Sequence, residues 1–204
     1  MTELGQHKVI DLYDISNYQF GNKARQLEKD RSVTERMERM RREFPEKGVK
    51  RTVDAVVVVH KHNHPHLLLL QIGNEKKGFF KLPGGKAQPN ETDEEAMLRK
   101  VKRKLAPDEE QFQSEWKVGD CLSVWYRPNF DTQMYPYKPA HITKPKEIKK
   151  LFLVTLPDQC MFQIPQNFNF LAVPFFEIYD NTKRYGPIIA SIPQMLSKFH
   201  FNYK

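Results

Sequence analysis

Two consecutive apolar segments constrain the fold of this chain more than any other feature. Thr52–His60 contains four successive valines, and His66–Ile72 contains four successive leucines. Both are short runs bounded by polar residues, a pattern that predicts β-strands. A turn at Asn74–Gly78 and a third strand at Phe79–Leu82 are predicted next. We therefore expect a β-sheet at the centre of the fold.

Helices are predicted on either side of these strands along the chain. Arg31–Phe44 has apolar residues at helical spacing and ends near Pro45. Thr92–Leu105 begins with Thr92 as N-cap, and Glu95 completes a capping box. The other predicted elements are an irregular segment over residues 1–30, strands near Trp116–Arg127, Lys150–Thr155 and Phe170–Ile178, and a closing helix over residues 188–199. This order indicates an α/β fold with a mixed central sheet between helices, and with extra helical segments near both ends.

The length of 204 residues allows one well-buried domain and is short for two. We expect residues 1–50 to form an N-terminal extension whose helix packs on the core. Residues 51–204 are then the main domain.

The charge balance restricts the partners of the protein. Lys and Arg together number 33 against 25 Asp and Glu, which gives a net charge of +8 and a pI of about 9.4. Such an excess favours polyanions: RNA, DNA, nucleotides or acidic membrane surfaces. Aromatic residues make up 12% of the chain, so some rings are expected to be exposed for binding.

The cysteines and the apolar runs bear on the compartment. Cys121 and Cys160 are far apart and neither has a neighbour at metal-ligand spacing, which favours a reduced intracellular protein without structural zinc. The first residues lack a signal pattern. The longest apolar run, Ala55–Val59, is too short to cross a bilayer.

A glycine-rich segment before the second predicted helix carries the most specific local motif. Leu82-Pro83-Gly84-Gly85 is followed by Glu91 and Arg99, with five residues between Gly85 and Glu91 and seven between Glu91 and Arg99. This spacing resembles the Nudix box, G-x5-E-x7-R-E-U-x-E-E-x-G-U, where U is aliphatic. The strand before it and the helix after it are the context that the motif requires. The resemblance implies a Nudix-type α/β/α sandwich over residues 51–204.

The three box positions that hold metal-binding glutamates in Nudix enzymes carry Lys100, Arg103 and Lys104 here. At spacing i, i+3, i+4 these side chains share one helix face, where the enzymes bind the divalent ions that neutralise a pyrophosphate and activate water. Two cations ~4 Å apart repel by about 4 kcal/mol at an effective dielectric of 20, before doubling for a divalent ion. We therefore expect no metal, no cofactor and no hydrolase chemistry. The final box glycine is also replaced, by Ala106.

Nearby carboxylates do not restore the missing ligands. Glu94 and Glu95 belong to the first helical turn, where they favour the helix dipole and the cap. We interpret Glu91 and Arg99 as architectural residues of the loop and helix. The basic helix face has two open interpretations: a solvated face, or a surface for phosphates or an acidic partner.

Longer strings outside the box give a closer resemblance. They are Trp125–Phe130, Tyr135–Glu147 (YPYKPAHITKPKE), Lys149–Val154, Tyr179–Asn181 and Tyr185–Ile189. From about Ile10 onwards the chain resembles the family of small Nudix subunits of cleavage factor Im, which acts in pre-mRNA 3′-end processing. This resemblance implies a nuclear, non-catalytic homodimer that binds single-stranded UGUA-type RNA and a larger subunit with an RNA-recognition motif. Holding two RNA elements on one dimer raises avidity without new contacts.

The same resemblance implies a set of RNA-binding residues. They are Glu28, Arg36, Asp54, Gly78, Phe79, Leu82, Tyr135, Tyr137 and Tyr185. Phe79 is expected to stack on a base, and strand alternation turns its neighbour Phe80 to the opposite side. Glu28 and Arg36 match residues that hydrogen-bond base edges, and Leu82 is expected to supply backbone groups.

Several of these residues have a second interpretation. Asp54 stands where the family has Glu, and its side chain is shorter by one methylene, so a weakened or water-mediated contact with the RNA is the second interpretation. The three tyrosines serve the RNA, the larger subunit, or only the packing of Pro-rich loops. Gly78 replaces a larger polar residue, and the turn before it is longer than in the family.

Three competing functions stay open at this level. The runner-up is an active Nudix pyrophosphohydrolase acting on dinucleoside polyphosphates. The others are a nucleotide-sensing protein in which a dinucleotide competes with RNA, and a scaffold whose partner makes all RNA contacts.

Overall fold

The structure, a computed structural model, describes residues 8–27, 29–30, 32–73 and 78–204. Within these residues the strands are β1 (Val9–Leu12), β2 (Tyr18–Lys23), β3 (Lys50–Lys61), β4 (His64–Ile72), β5 (Phe79–Lys81), β6 (Gly84–Lys86), β7 (Lys117–Arg127), β8 (Glu147–Thr155), β9 (Cys160–Pro165), β10 (Asn169–Pro174) and β11 (His200–Tyr203). The α-helices are α1 (Val33–Lys47), α2 (Asp93–Leu105), α3 (Phe175–Ile178), α4 (Thr182–Ala190) and α5 (Ile192–Leu196). Short 3-10 turns occur at Ile15–Asn17 and Glu110–Phe112.

A seven-stranded mixed sheet forms the centre of the molecule. Its main path runs β10-β4-β3-β8-β7, while β5 pairs with β4 and β6 with β3. β3 and β8 are parallel, from Lys50 opposite Glu147 to Val57 opposite Val154. The other pairings in this sheet are antiparallel.

Helices cover both faces of this sheet. On β3, Val53, Ala55, Val57 and Val59 face α2, whereas Val56 and Val58 face the side of α4 and α5. Both sets are buried, which explains why the segment is apolar at nearly every position instead of alternating. The predicted α/β sandwich with a mixed central sheet is confirmed.

Both long helices are present, and α2 has the predicted bounds, whereas α1 begins two residues later than predicted and extends three residues beyond Phe44. Ser32 caps α1, which continues through Pro45 and ends at Gly48 with a φ of 64°. The Thr92 side chain accepts from the Glu95 backbone N–H, and the Glu95 carboxylate accepts from the Thr92 N–H, so the predicted capping box of α2 is present.

The expectation of an irregular segment over residues 1–30 was wrong for part of that range. β1 pairs in parallel with β11, and β2 pairs in parallel with β9. Ile10 and Leu12 point into the core while Val9 and Asp11 are exposed. Four residues with two buried side chains give too short a pattern to detect along the sequence.

The C-terminal third also differs from expectation. The strand predicted over Phe170–Ile178 ends at Pro174, and α3 follows it. The single helix predicted over 188–199 is two helices that begin earlier, since α4 bends at Gly186 (φ 79°) and α5 starts at Ile192. Strands β6, β9 and β11 were not predicted because each is short and pairs with a distant segment.

Among the described residues, no helix has the length and apolarity that crossing a membrane requires.

Candidate nucleic-acid interface

A cavity of about 400 Å³ opens where α1 and α2 meet the central sheet. β3 contributes Thr52 and Asp54 to its lining, and β8 contributes Lys149. The turn from β5 to β6 forms one border, with Leu82 at its centre.

Close packing requires a glycine at position 84, the first residue of β6. A side chain on Gly84 would collide with the Val53 carbonyl oxygen and the Asp54 carboxylate. β6 can therefore lie against β3 only without a side chain at this position. Asp54 is held under the turn and is 7% exposed.

The lining of the cavity is strongly cationic. Eleven lysine or arginine side chains face three carboxylates. The cations are Lys29, Arg36, Arg39, Lys47, Lys50, Lys81, Lys86, Lys100, Arg103, Lys104 and Lys149. Such a concentration of one sign in a concave surface attracts polyanions.

The three lining carboxylates already hold cations. Asp30 accepts from Arg39 at 2.6 Å, and Asp54 accepts from Lys149 at 2.5 Å. Glu43 lies 3.3 Å from Lys47. Arg39 lowers the pKa of Asp30 through its hydrogen bond, so this group stays charged and acts as a counter-ion to α1.

Glu91 and Arg99 form a two-contact ion pair at the entrance to α2. Arg99 Nε donates to Glu91 Oε2 at 2.8 Å, Arg99 Nη2 donates to Oε1, and the Gln88 backbone N–H also donates to Oε1, at 2.6 Å. The Arg99 hydrogen bonds lower the pKa of Glu91 to about 2 against a smaller effect of burial. The pair fastens the glycine-rich loop to the helix, as its architectural interpretation predicts.

The box face of α2 presents ammonium and guanidinium groups to the cavity. The Lys100 side chain lies across Gly85, where an added Cβ would approach Lys100 Cδ and Cε at 3.3 Å. Burial lowers the pKa of Lys100, and the neighbouring Arg99 and Arg103 lower it further. Within the described part of the chain, no three His, Cys, Asp or Glu side chains are grouped as a metal ion requires.

Arg36 borders the cavity and reaches a buried carboxylate. Its Nη2 lies 3.5 Å from Glu147, a fully buried residue that also accepts from Thr52 Oγ1 at 2.6 Å and from Arg127 Nε at 2.8 Å. Lys50 lies 3.3 Å from the same carboxylate. Burial raises the pKa of Glu147, but the surrounding cations outweigh it and hold the pKa well below its usual range.

Phe79 and Phe80 point to opposite sides of β5, as strand alternation predicts. Phe79 is 60% exposed and lies on the same side of the strand as Lys81, which lines the cavity. Phe80 is partly buried, with its ring centroid 4.7 Å from that of Tyr185. An exposed ring beside a cationic cavity is the arrangement that base stacking requires.

Tyr185 was expected in a loop, and this was wrong: it lies in α4 and is 6% exposed. Its hydroxyl donates to Glu177, and burial together with that carboxylate raises its pKa above the usual range. With Phe80 and Arg184 it lines a second, larger cleft of about 750 Å³. This cleft runs along the edge strand β10.

Tyr135 and Tyr137 lie in the connection between β7 and β8, outside both cavities. Tyr135 exchanges backbone hydrogen bonds with Tyr126 at 2.8 and 2.9 Å. Its ring centroid is 5.6 Å from that of Tyr137, which is 58% exposed. The pair forms an exposed aromatic surface.

Two of the predicted RNA-binding residues, Glu28 and Gly78, lie in or next to segments outside the described residues. Glu28 and the turn residues Asn74–Lys77 are outside the described residues. Gly78 directly precedes β5 and is partly exposed. It packs closely against Gly73: a Cβ atom added to Gly73 would lie 3.3 Å from the Gly78 Cα.

The structure thus brings Arg36, Asp54 and Leu82 to one cavity and places the three tyrosines elsewhere. Phe79 is not part of the lining but lies on the same side of β5 as the lining residue Lys81. Leu82 lines the cavity and is 6% exposed, and the expectation that it supplies backbone groups to a ligand stays a prediction. Sequence reasoning missed Lys81 and Lys149. The two-residue period of a strand gives a signal for Lys81, two positions after Phe79, whereas Lys149 needs the pairing of β8 with β3.

Known proteins resemble this chain over nearly its full length. Residues 8–199 match the sequence model of the NUDIX_2 family, described as nucleotide hydrolase. The chain is 48% identical over 199 residues to pre-mRNA cleavage factor Im 25 kDa subunit 2 of Arabidopsis thaliana, with 98% of each chain covered. It is 42% identical over 198 residues to cleavage and polyadenylation specificity factor subunit 5 of Dictyostelium discoideum, with 96% of each covered.

Similar solved structures include a crystal structure of an Ap4A hydrolase from C. elegans. The TM-score is 0.46 at 20% identity, covering 73% of this chain and 96% of that one.

Proposed function

We propose that this chain, which belongs to the family of small Nudix subunits of pre-mRNA cleavage factor Im, is a non-catalytic, sequence-specific RNA-binding subunit of the 3′-end processing machinery. It binds UGUA-type elements as a homodimer in the nucleus. Its partner is a larger subunit with an RNA-recognition motif. The family names of the relatives support the processing role, and the cavity supports the RNA role.

The observation that carries this proposal is the composition of the cavity. Its lining has eleven cations, among them Arg36, which can donate to base edges, and it has Asp54, which can accept from them. The exposed Phe79 ring lies on the same side of β5 as the lining residue Lys81. Single-stranded RNA is recognised by stacking on rings and by hydrogen bonds to splayed bases, while cations hold the backbone.

The magnesium ions of Nudix hydrolases do not fit this cavity. Mg²⁺ prefers carboxylate oxygens, and the box face offers Lys100, Arg103 and Lys104 instead. Glu91 is already engaged by Arg99 and the Gln88 N–H. The box face therefore lacks the ligands that metal-assisted hydrolysis needs, and the fold serves as a binding surface.

Fluorescence anisotropy at fixed salt tests the specificity. A labelled UGUA oligonucleotide should bind more tightly than oligonucleotides with single base changes, because each wrong base leaves polar groups of the cavity unpaired. Equal affinity for all of them refutes sequence-specific binding. Adding a diadenosine polyphosphate to the same mixture tests nucleotide sensing, which is removed if no competition occurs.

A hydrolysis assay tests the pseudoenzyme part. The protein is incubated with magnesium and a dinucleoside polyphosphate, and we expect no release of mononucleotide. Turnover at ordinary enzyme rates that Glu91→Gln abolishes contradicts this part and favours the pyrophosphohydrolase.

The assembly is tested separately. Light scattering should give twice the chain mass of 24.1 kDa at the concentrations used for RNA binding, and a monomer mass contradicts the dimer.

Tyr137→Ala should weaken binding to the RNA or to the larger subunit, whereas Tyr179→Ala, which removes another exposed ring (62%) at the C-terminal end of α3, should not.

A further inference from the structure

The pair Lys100 and Arg103, here called the box cations, occupies a part of the cavity that the predicted base-binding residues do not use. The two residues are three positions apart on α2, so their side chains share one face, and both line the cavity. Neither forms an ion pair within 4.0 Å with any residue in the described ranges. They differ in this from Arg99, which is neutralised by Glu91.

Among the described residues, charge compensation at this place is only partial: Glu91, already paired with Arg99, attracts Lys100 without forming an ion pair with it. The lining carboxylates Asp30, Glu43 and Asp54 are engaged by cations of α1 or β8. Lys100 is partly buried against Gly85 and beside two guanidinium groups, and these surroundings lower its pKa. An anion bound between Lys100 and Arg103 would offset both the repulsion and the loss of hydration.

We propose that the box cations bind a phosphate group of the RNA backbone, at the place where the catalytic relatives' motif puts its carboxylates. The guanidinium of Arg103 can donate two parallel hydrogen bonds to phosphate oxygens, and the Lys100 ammonium adds a point charge. This inference rests on the proposed RNA-binding function and adds the path of the backbone to it.

The location favours an RNA phosphate over a free one. Arg36, Lys81 and the box cations line the same cavity, and the exposed Phe79 ring lies on the same side of β5 as Lys81. A nucleotide chain with bases at Phe79 and Arg36 can place its backbone along the cavity lining, which includes these two cations of α2. A free polyphosphate offers the same oxygen atoms, so the experiment must separate the two sources.

The variant Lys100→Gln with Arg103→Gln is compared with a matched control, Lys102→Gln with Lys117→Gln. The control removes the same charge from two exposed positions, one on α2 itself, that do not line the cavity. Binding of the UGUA oligonucleotide is measured over a salt series. The slope of log K against log salt is negative, and for the box variant it should become shallower by about 0.7 for each phosphate that the protein no longer neutralises. The preference for UGUA over its base-changed forms should persist in this variant.

A second measurement identifies the phosphate. Oligonucleotides that carry one neutral methylphosphonate linkage at each successive position are bound to the wild type and to the box variant. One position should weaken binding to the wild type and have no further effect on the box variant, because that variant has no cations to pair with this phosphate. Inorganic pyrophosphate is titrated in parallel, without magnesium.

The outcomes separate this inference from the function on which it rests. If the wild type discriminates UGUA but the box and control variants decrease equally in affinity, the phosphate subsite is refuted and the proposed function stands. If pyrophosphate binding depends on the box cations and no linkage position responds, the RNA assignment is overturned in favour of a free phosphate. Absence of UGUA discrimination by the wild type refutes the proposed function itself.

Discussion

At the scale of single residues, neighbouring side chains on one short strand have opposite surroundings. Phe79 is exposed beside the cationic cavity, while Phe80 packs against Tyr185. Strand alternation separates the two rings before any tertiary contact is known. Only one of them is therefore available to stack on a base from the cavity side.

Replacing the exposed ring tests its role. Phe79→Ala should weaken binding of a UGUA oligonucleotide by ~1–3 kcal/mol if the ring stacks on a base, as measured by anisotropy. Phe112→Ala, which removes another half-exposed phenyl ring away from the cavity, should leave the affinity unchanged. Unchanged affinity of Phe79→Ala indicates a scaffold whose partner contacts the RNA.

Glu91 and Arg99 also act at this scale. Their hydrogen bonds connect the loop after β6 to the middle of α2, and the pKa of Glu91 falls to about 2. A carboxyl group whose pKa is lower in the folded state stabilises the fold above its unfolded pKa, near 4.5, and this contribution disappears as the pH falls towards 2.

The corresponding prediction concerns acid stability. Urea unfolding between about pH 6 and pH 2 should show a smaller decline in the free energy of unfolding for Glu91→Gln than for the wild type, with the difference arising below about pH 4.5. Glu115→Gln, at an exposed position outside the helices and strands, serves as control and should follow the wild type. Parallel curves for all three proteins would count against the ion pair.

At the scale of elements, one face of α2 packs on the sheet and stabilises the fold, while the opposite face lines the cationic cavity. Ala96, Met97, Val101 and Leu105 are buried against the sheet, and the box cations face the cavity. The apolar face and the capping box are sufficient to place the helix. The charges on the other face can change sign without loss of the fold, which is how a Nudix scaffold can become a cationic surface.

The capping box gives a prediction for this helix. Thr92→Ala removes the acceptor for the Glu95 N–H and should lower the free energy of unfolding by about 1 kcal/mol. Thr92→Ser keeps the hydroxyl and should stay close to the wild type in urea unfolding. Equal decreases in both variants would show that the methyl group, not the cap, is responsible.

At the scale of the whole molecule, β1 and β2, near the start of the described chain, form two-stranded sheets with later strands. β1 pairs with β11, and β2 with β9, so both contact strands far along the chain. Leu12 is 2% exposed and belongs to the core between the sheet and α4 and α5. The division into residues 1–50 and 51–204 stays a prediction, but truncation within this segment would open the core.

A substitution in β1 tests this dependence. Leu12→Ala should lower the free energy of unfolding by about 2–5 kcal/mol, since it leaves a cavity in a packed core. Val9→Ala changes the same strand at a position that is 61% exposed and should have little effect. Similar small decreases in both variants, measured by thermal or urea unfolding, would mean that the segment is peripheral.

Much of this protein was determined by its sequence alone, because the signals are local. The capping box of α2, the strands around the valine and leucine runs, the opposite directions of Phe79 and Phe80 and the cationic box face all depend on residues a few positions apart. The family resemblance, confirmed by relatives at 42–48% identity, rests on strings of adjacent residues.

Only the tertiary structure decided which distant residues meet. Arg36 forms an ion pair with Glu147, and Asp54 forms one with Lys149. β1 pairs with β11, near the other end of the described chain. These contacts depend on strand pairing and on closure of long loops, which no periodicity along the chain records. A basic composition indicated a polyanion, and the packing of α1 and α2 on the sheet turned scattered charges into one cavity.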